Sequence, residues 1–300
     1  MLIVKYRKIF FWISGLVVAL SLASVLFFGL NFGVDFTGGT LIEVRYESSV
    51  PSQDVVESTL SNIGLDGISI RPAGEDGYII RTGALSDEQR GSLETALSIN
   101  NEYVASVERL NEIGPTIGQE LRNKALIAIV LVSLAIILYI AFAFRGVSKP
   151  VSSWIYGLIA IVALLHDVLV PFGVFAVLGS FFGSQVDTLF VMALLAILGY
   201  SVNDTIVVFD RVRENLRNNA DRGRKEEFSL TVGKSLNQTY VRSINTSLTT
   251  LLVLLTLFFL GPDATHDFAL VLMVGVIAGT YSSLALATPL LVAIERRGKK

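Results

Sequence analysis

Six stretches of the chain are apolar almost without interruption: residues 9–30, 125–144, 154–178, 189–209, 244–260 and 268–294. At about 1.5 Å of rise per residue, such runs are long enough to cross a hydrocarbon core of about 30 Å as helices. The fifth run is the shortest, and Thr288-Pro289 interrupts the sixth. Lys5, Arg7 and Lys8 precede the first run, as they would a secretory signal. It is too long for a signal core, however, and no small-x-small cleavage pattern follows before Asn31, so it reads as a retained span.

Residues 31–124 follow a different pattern. Residues 41–46 alternate as a strand, and 51–63 have helical spacing with Pro51 suited to a first turn. Residues 68–72 and 78–82 predict short strands around the turn 73–77. Ser86 opens a helix, with Gln89 completing a Ser-x-x-Gln capping box, and 103–110 is a last strand. The order β-α-β-β-α-β is that of a ferredoxin-like α+β domain. Residues 210–243 form a long polar connection. There Phe228, Leu230, Val232 and Leu236, with Lys234 and Gln238, predict a helix lying on the membrane surface, whose role is to turn the chain.

Composition agrees with this division. Of the 300 residues 52% are hydrophobic and only 17% charged, and mean hydropathy is +0.61. Charge is segregated: residues 31–124 hold 15 acidic and 7 basic side chains. Lys5, Arg7, Lys8, Arg145, Lys149, Arg211, Arg213, Arg217, Arg222, Arg224, Lys225, Lys234, Arg242, Arg296, Arg297, Lys299 and Lys300 all fall at the termini or after the second and fourth runs. The short connections 179–186 and 261–267 hold no Lys or Arg. By the positive-inside rule both termini are cytoplasmic. The expected fold is thus a polytopic α-helical membrane protein. Residues 1–30 form the cytoplasmic N-terminus and first span, 31–124 an extracytoplasmic α+β domain, and 125–300 a five-helix membrane region with a cytoplasmic loop at 210–243 and a cytoplasmic C-terminus.

The chemistry on offer is narrow. With no cysteine and two histidines, disulfides and thiolate or histidine metal sites are not expected. Gly233-Lys234-Ser235 lacks the first glycine of a phosphate loop, Phe228 standing in its place. No His-Glu-x-x-His and no dinucleotide fingerprint occur, so no enzymatic activity and no cofactor are expected. Asn237-Gln-Thr239 matches a glycosylation sequon on the wrong side of the membrane. Gly275 and Gly279 predict a close helix-packing face.

Ionisable groups within a span cost about 2.5–3.5 kcal/mol each on insertion scales, so each needs a reason. His166 and Asp167 lie mid-way along the third run, Asp204 in the fourth, and Arg242 at the entry to the fifth. Tyr200, Ser201 and Asp204 fall on one helical face, and Arg242, Asn245, Thr246 and Thr249 form a polar stripe. If these faces meet, Asp204 gains a cationic partner and polar groups able to hold water. A proton-handling carboxylate and a static ion pair both fit that spacing. His166-Asp167 fits either a proton relay or a polar anchor.

These residues carry a resemblance. Gly33-Val-Asp35-Phe36-Thr-Gly38-Gly39-Thr40 after the first run resembles the signature of the SecF family, and Gly114-Pro115-x-x-Gly118-x-Glu120-Leu121 its domain exit. His166-Asp167-Val168, the block 199–215, and Arg242-x-x-x-Thr246-Ser247-Leu248-Thr249-Thr250 are similar to the same family, in order along the whole chain. The resemblance implies half of a resistance-nodulation-division (RND) type bundle, completed by a SecD-like subunit. It implies work with SecYEG, SecA and, among accessory proteins, YajC or YidC, on exported unfolded polypeptides at the outer side of the cell inner membrane. Protons would be the coupling ion and nucleic acid no partner. Asp204 and Arg242, with Asn203, Thr205 and Asn245 beside them, would carry proton transport. A half-size RND-type exporter of small molecules or lipids, and a non-transporting scaffold, are the alternatives.

Overall fold

The computed structural model describes residues 2–47, 49–65, 67–99, 102–144 and 151–298. Arg145, Lys149, Lys299 and Lys300, counted above for orientation, lie outside the described residues. In chain order the elements are α1 (Leu2–Lys5), α2 (Arg7–Phe28), α3 (Val34–Thr37), β1 (Gly39–Tyr46), α4 (Gln53–Asn62), β2 (Ser69–Ala73), β3 (Gly77–Thr82), α5 (Asp87–Leu97) and β4 (Ala105–Ile113). There follow α6 (Pro115–Ala143), α7 (Ser153–Phe182), α8 (Thr188–Asp221), α9 (Phe228–Leu260), a 3₁₀ turn (Asp263–Thr265), α10 (His266–Tyr281), a π-helical turn (Ser282–Ala287) and α11 (Thr288–Gly298). The chain forms two compact units, one of Asn31–Leu126 with Gln185–Thr188, the other of the remaining segments.

The smaller unit is an antiparallel sheet in the order β2-β3-β1-β4, the ferredoxin-like arrangement. Its core forms because β1 and β3 send Ile42, Val44, Tyr46, Tyr78 and Ile80 to the same side, where Val56 and Leu60 of α4 and Leu93 and Leu97 of α5 meet them. The capping box at α5 is complete: Ser86 Oγ accepts from Gln89 N–H, and Ser86 N–H donates to Gln89 Oε1. β4 runs to Ile113, three residues beyond the sequence expectation, because its pairing with β1 continues to Gly39.

Six helices, among the described residues, are long and apolar enough to cross a membrane. α7, α8 and the α10–α11 span bury far more of their apolar windows than α2, α6 and α9, which leave apolar faces uncovered. Phe144 stacks on Tyr156 with ring centroids 5.4 Å apart, and Phe209 meets Tyr156 edge-on at 5.2 Å. Ile140, Ile159, Val212, Phe228 and Val232 surround this aromatic centre. The glycines of α10 do form a packing face, against α8: a side chain at Gly275 would strike Ile197, and one at Gly279 would come within 2.9 Å of Ser201 Cβ.

Three expectations change. The helix from Phe228 does not lie on a membrane surface; it is the first half of α9, continuous with the fifth span. No glycine or proline breaks it after Gly233, and its buried face (Phe228, Thr231, Val232, Ser235, Leu236) is taken up by protein. α8 likewise runs on to Asp221; its 34 residues reach about 51 Å, well beyond an apolar core of about 30 Å. In the sixth span the irregularity begins at Ser282 and is a π turn, not a break at Thr288-Pro289. Pro289 has no N–H and its ring crowds the carbonyl four residues back, that of Ala285. Thr288 Oγ1 instead donates to the carbonyl five residues back, that of Ser283, at 2.8 Å.

Candidate functional site

Two side chains one residue apart on a helix differ by about 100° in direction, so α8 can serve two neighbours at once. Tyr200 and Asp204 form one row and point to α9. Asp204 Oδ1 accepts from Ser243 Oγ at 2.5 Å. Tyr200 Oη donates to Ser247 Oγ at 3.1 Å, and Ser247 Oγ lies 2.5 Å from Thr280 Oγ1. Ser201 and Thr205 form the adjacent row, fully turned inward. Ser201 Oγ donates to Asp167 Oδ2, and Thr205 Oγ1 lies 2.8 Å from Ser283 Oγ. Tyr200, Ser201 and Asp204 therefore do not act as one face.

Asp204 is half-buried, and its Oδ2 is enclosed without a hydrogen-bond partner. The expected cation does not close that gap. Arg242 is exposed and acts on Asp204 only through its field, without a hydrogen bond. The rotation of α9 explains this: Ser243 and Ser247 are buried, which turns Arg242, Asn245, Thr246 and Thr249 outward as an exposed stripe. Asn203 is exposed as well, as are Met192, Ala196 and Gly199 on the same side of α8. The serine that does reach the carboxylate, Ser243, carried no signal in the sequence, since a hydroxyl in a span is unremarkable by itself.

His166 and Asp167 come together despite their diverging directions. His166 Nδ1 lies 2.9 Å from Asp167 Oδ1, and Ser282 Oγ donates to Asp167 Oδ2 at 2.8 Å. Asp167 is 0% and His166 3% exposed. The sequence named this pair but not its partners: Ser201, which it had placed with Asp204 on α8, and Ser282 of the π turn.

The signature residues build a clasp within the smaller unit. Asp35 Oδ2 accepts from Thr188 N–H at 3.0 Å and from Thr188 Oγ1, so it caps the first turn of α8 from a distant part of the chain. Phe36 is buried and meets Phe32 edge-on at 6.4 Å. Gly33 lies against the Cβ of Asp187, 3.0 Å from where its own would stand. Gly38 and Gly39 have φ of 77° and 125°, and side chains there would meet Pro115 Cα at 2.8 Å and the Thr82 carbonyl at 2.5 Å. Only glycine accepts both the backbone and the closeness.

The family described as "Protein export membrane protein SecD/SecF, C-terminal" matches residues 94–297, and the "SecD/SecF GG Motif" matches residues 23–50. The SecF protein translocase subunit of Thermobaculum terrenum is 42% identical over 98% of this chain and 94% of its own length. The chain belongs to the SecF family. The subunit from Synechocystis is 36% identical, over 95% of this chain and 91% of its own. A crystal structure of SecDF, a translocon-associated membrane protein of Thermus thermophilus, superposes with a TM-score of 0.84 at 35% identity. That match covers 98% of this chain and 38% of the SecDF chain, so the present chain spans well under half of that protein. The RND-like fold is thereby shared.

Proposed function

We propose that this chain is one half of a proton-coupled membrane unit that assists polypeptide export, with Asp204 as the proton-binding group. Membership of the SecF family supports a role in protein translocation. The SecDF relative carries the remaining 62% (100 − 38) of its length in the same chain, which supports a SecD-like partner, together with SecYEG and its accessory proteins. The observation that carries the reading is the Asp204 carboxylate. One oxygen is held by Ser243 and the other is enclosed and unpartnered, beside a stripe of exposed polar groups on α9 that includes Arg242 and Asn245. A buried acceptor without a donor is costly, and a proton satisfies it, turning an acceptor into a donor for a group across the stripe. The basic residues grouped at the termini and in 210–243 support cytoplasmic termini and an outer-side α+β unit. A proton crossing a potential of about 100 mV releases about 2.3 kcal/mol, enough to bias two conformations about fifty-fold.

Asp204→Asn keeps the shape and removes the titratable proton. Expressed at wild-type abundance, it should assemble normally and lose proton flux and proton-dependent export together. Arg242→Lys should retain part of the activity, since a cation remains, and Arg242→Ala much less. Normal flux in Asp204→Asn would refute the reading.

A further inference from the structure

A fully buried carboxyl of the membrane unit, Asp167, lies outside the step just described. Each oxygen of Asp167 is engaged: Oδ1 by His166 within α7, Oδ2 by Ser201 of α8 and Ser282 of the π turn. An ionised carboxylate accepting from two hydroxyls fixes the tautomer of the ring beside it. Beside an ionised Asp167, His166 would carry its hydrogen on Nδ1 and leave the lone pair on Nε2. Nε2 is buried and has no hydrogen-bond partner. The ring lies against Tyr281, centroids 5.8 Å apart, but Tyr281 Oη is already used, accepting from Ser14 and donating to the Phe10 carbonyl. The ring also borders a groove of about 410 Å³ between α2, α7 and the sixth span, lined mainly by apolar side chains such as Phe11, Val18, Leu165 and Leu169.

The π turn gives the pair a route to α8. Of two consecutive serines, Ser282 binds Asp167 and Ser283 binds Thr205, the residue after Asp204. Ser283 Oγ also donates to the Ser201 carbonyl at 3.4 Å. Two bonds from Ser283 thus grip α8 within one helical turn of Asp204, and Asp167 joins the turn to α8 once more by accepting from both Ser282 and Ser201. π turns of this kind recur at functional sites.

We propose that His166–Asp167 is a positioning pair for the Asp204 site. It takes up one proton at His166 Nε2, and Asp167 then holds the π turn and α8 less tightly. This rests on the reading of Asp204 as the proton-binding group. The pair changes from a net charge of −1 to 0. A neutral ring leaves the carboxylate charge to the two serine O–H groups, whereas an imidazolium takes up much of it and loosens them. Among the described residues, the polar groups that meet the pair are uncharged: Ser14 from α2, Ser201 from α8, Tyr281 from α10 and Ser282 from the π turn. Among the described residues, the ion pair either side chain makes is with the other.

The chain has only two histidines, so His266→Gln leaves His166 as its sole imidazole. With ¹⁵N-histidine in this chain and an unlabelled partner, in lipid, the ring should show an Nδ1–H tautomer at alkaline pH. As pH falls from about 9 to about 5 it should convert to imidazolium. A ring that stays in one form across that range, or one protonated on Nε2 at alkaline pH, would overturn the proposal. In parallel, His166→Gln at wild-type abundance should change the ratio of export at about pH 6 to that at about pH 8 by about threefold or more. A wild-type ratio would mean that the pair only glues helices. Should Asp204→Asn instead prove fully active, the reading of Asp204 falls, and the ¹⁵N spectrum still decides on His166.

Discussion

Asp35 binds the first N–H of α8 and the hydroxyl of the same residue, Thr188, so one carboxylate oxygen serves a helix start 153 positions away. Losing such a cap typically costs about 1–2 kcal/mol. Asp35→Ala should therefore lower the thermal stability of the full chain by about that amount, and Asp35→Asn, which keeps an acceptor, by roughly half. Equal stability of Asp35→Ala and wild type in thermal unfolding would refute the capping role. Tyr46, in the same unit, lends itself to a pH test. Its hydroxyl is enclosed between the sheet and Leu97, and burial, then the neighbouring Tyr78, pushes it up to about 12. A raised value means that the neutral form is the one the fold favours. This contribution is complete below the ordinary tyrosine value of about 10 and is lost as pH rises from there towards 12. Tyr46→Phe should show one fewer late-ionising phenol in an ultraviolet titration, and less loss of stability over that interval. At this scale the sequence was informative where a charge stood in an apolar run, as with Asp204 and Asp167. It was silent where the partner was a serine, because Ser201, Ser243 and Ser282 differ from other serines only in which way they face.

The α8–α9 hairpin shows why elements were easier to find than to delimit. Hydropathy marked the membrane-crossing part of each helix but not its polar continuation, since 210–221 and 228–243 are largely polar around a few buried apolar residues such as Val212, Phe228 and Val232. Their tips are tied by a small network: Asn219 Nδ2 donates to Glu226 and Thr231, and Lys234 donates to Glu226, whose carboxyl is held below its usual range chiefly by that lysine. Lys234 is well exposed, with 57% of its side chain accessible, and such surface pairs contribute about 0–1 kcal/mol. Phe228, by contrast, is 4% exposed in the aromatic core. Phe228→Ala should destabilise the hairpin by about 3–5 kcal/mol and expose residues 222–228 to protease, whereas Glu226→Gln should change either by little. Cleavage rates in the full chain check both. The reverse ranking would mean that polar ties, not burial, set the length of these helices. The π turn could not be foreseen in this way: Pro289 announced an irregularity, but the turn begins seven residues earlier, at Ser282.

Across the whole membrane unit, the outward faces are of two kinds. α2 and α6 expose Trp12, Leu16, Leu26, Leu126, Val130 and Leu131, side chains that suit lipid. α8 and α9 expose Asn203, Arg242, Asn245, Thr246 and Thr249 together with the small residues Ala196 and Gly199. An uncovered arginine in a span costs about 2.5 kcal/mol or more, and small residues on a helix surface favour close approach by another helix. The second face is therefore the one a SecD-like subunit should cover, and the absence of cysteine allows a direct test. In a membrane containing both subunits, Thr249→Cys and Asn203→Cys chains should each form a cross-link to single cysteines in the spans of the SecD-like chain. Leu16→Cys, 60% exposed in the native residue on α2, should form none. The same α8–α9 variants should label readily with a membrane-permeant maleimide when this chain is expressed alone, and the partner should protect them. Cross-links from Leu16→Cys with none from Thr249→Cys or Asn203→Cys, or equal labelling of Thr249→Cys with and without the partner, would show that α8 and α9 face lipid. In that case the exposed arginine and asparagines would have no protein to answer them, and the paired-half reading of the molecule would fail with its interface.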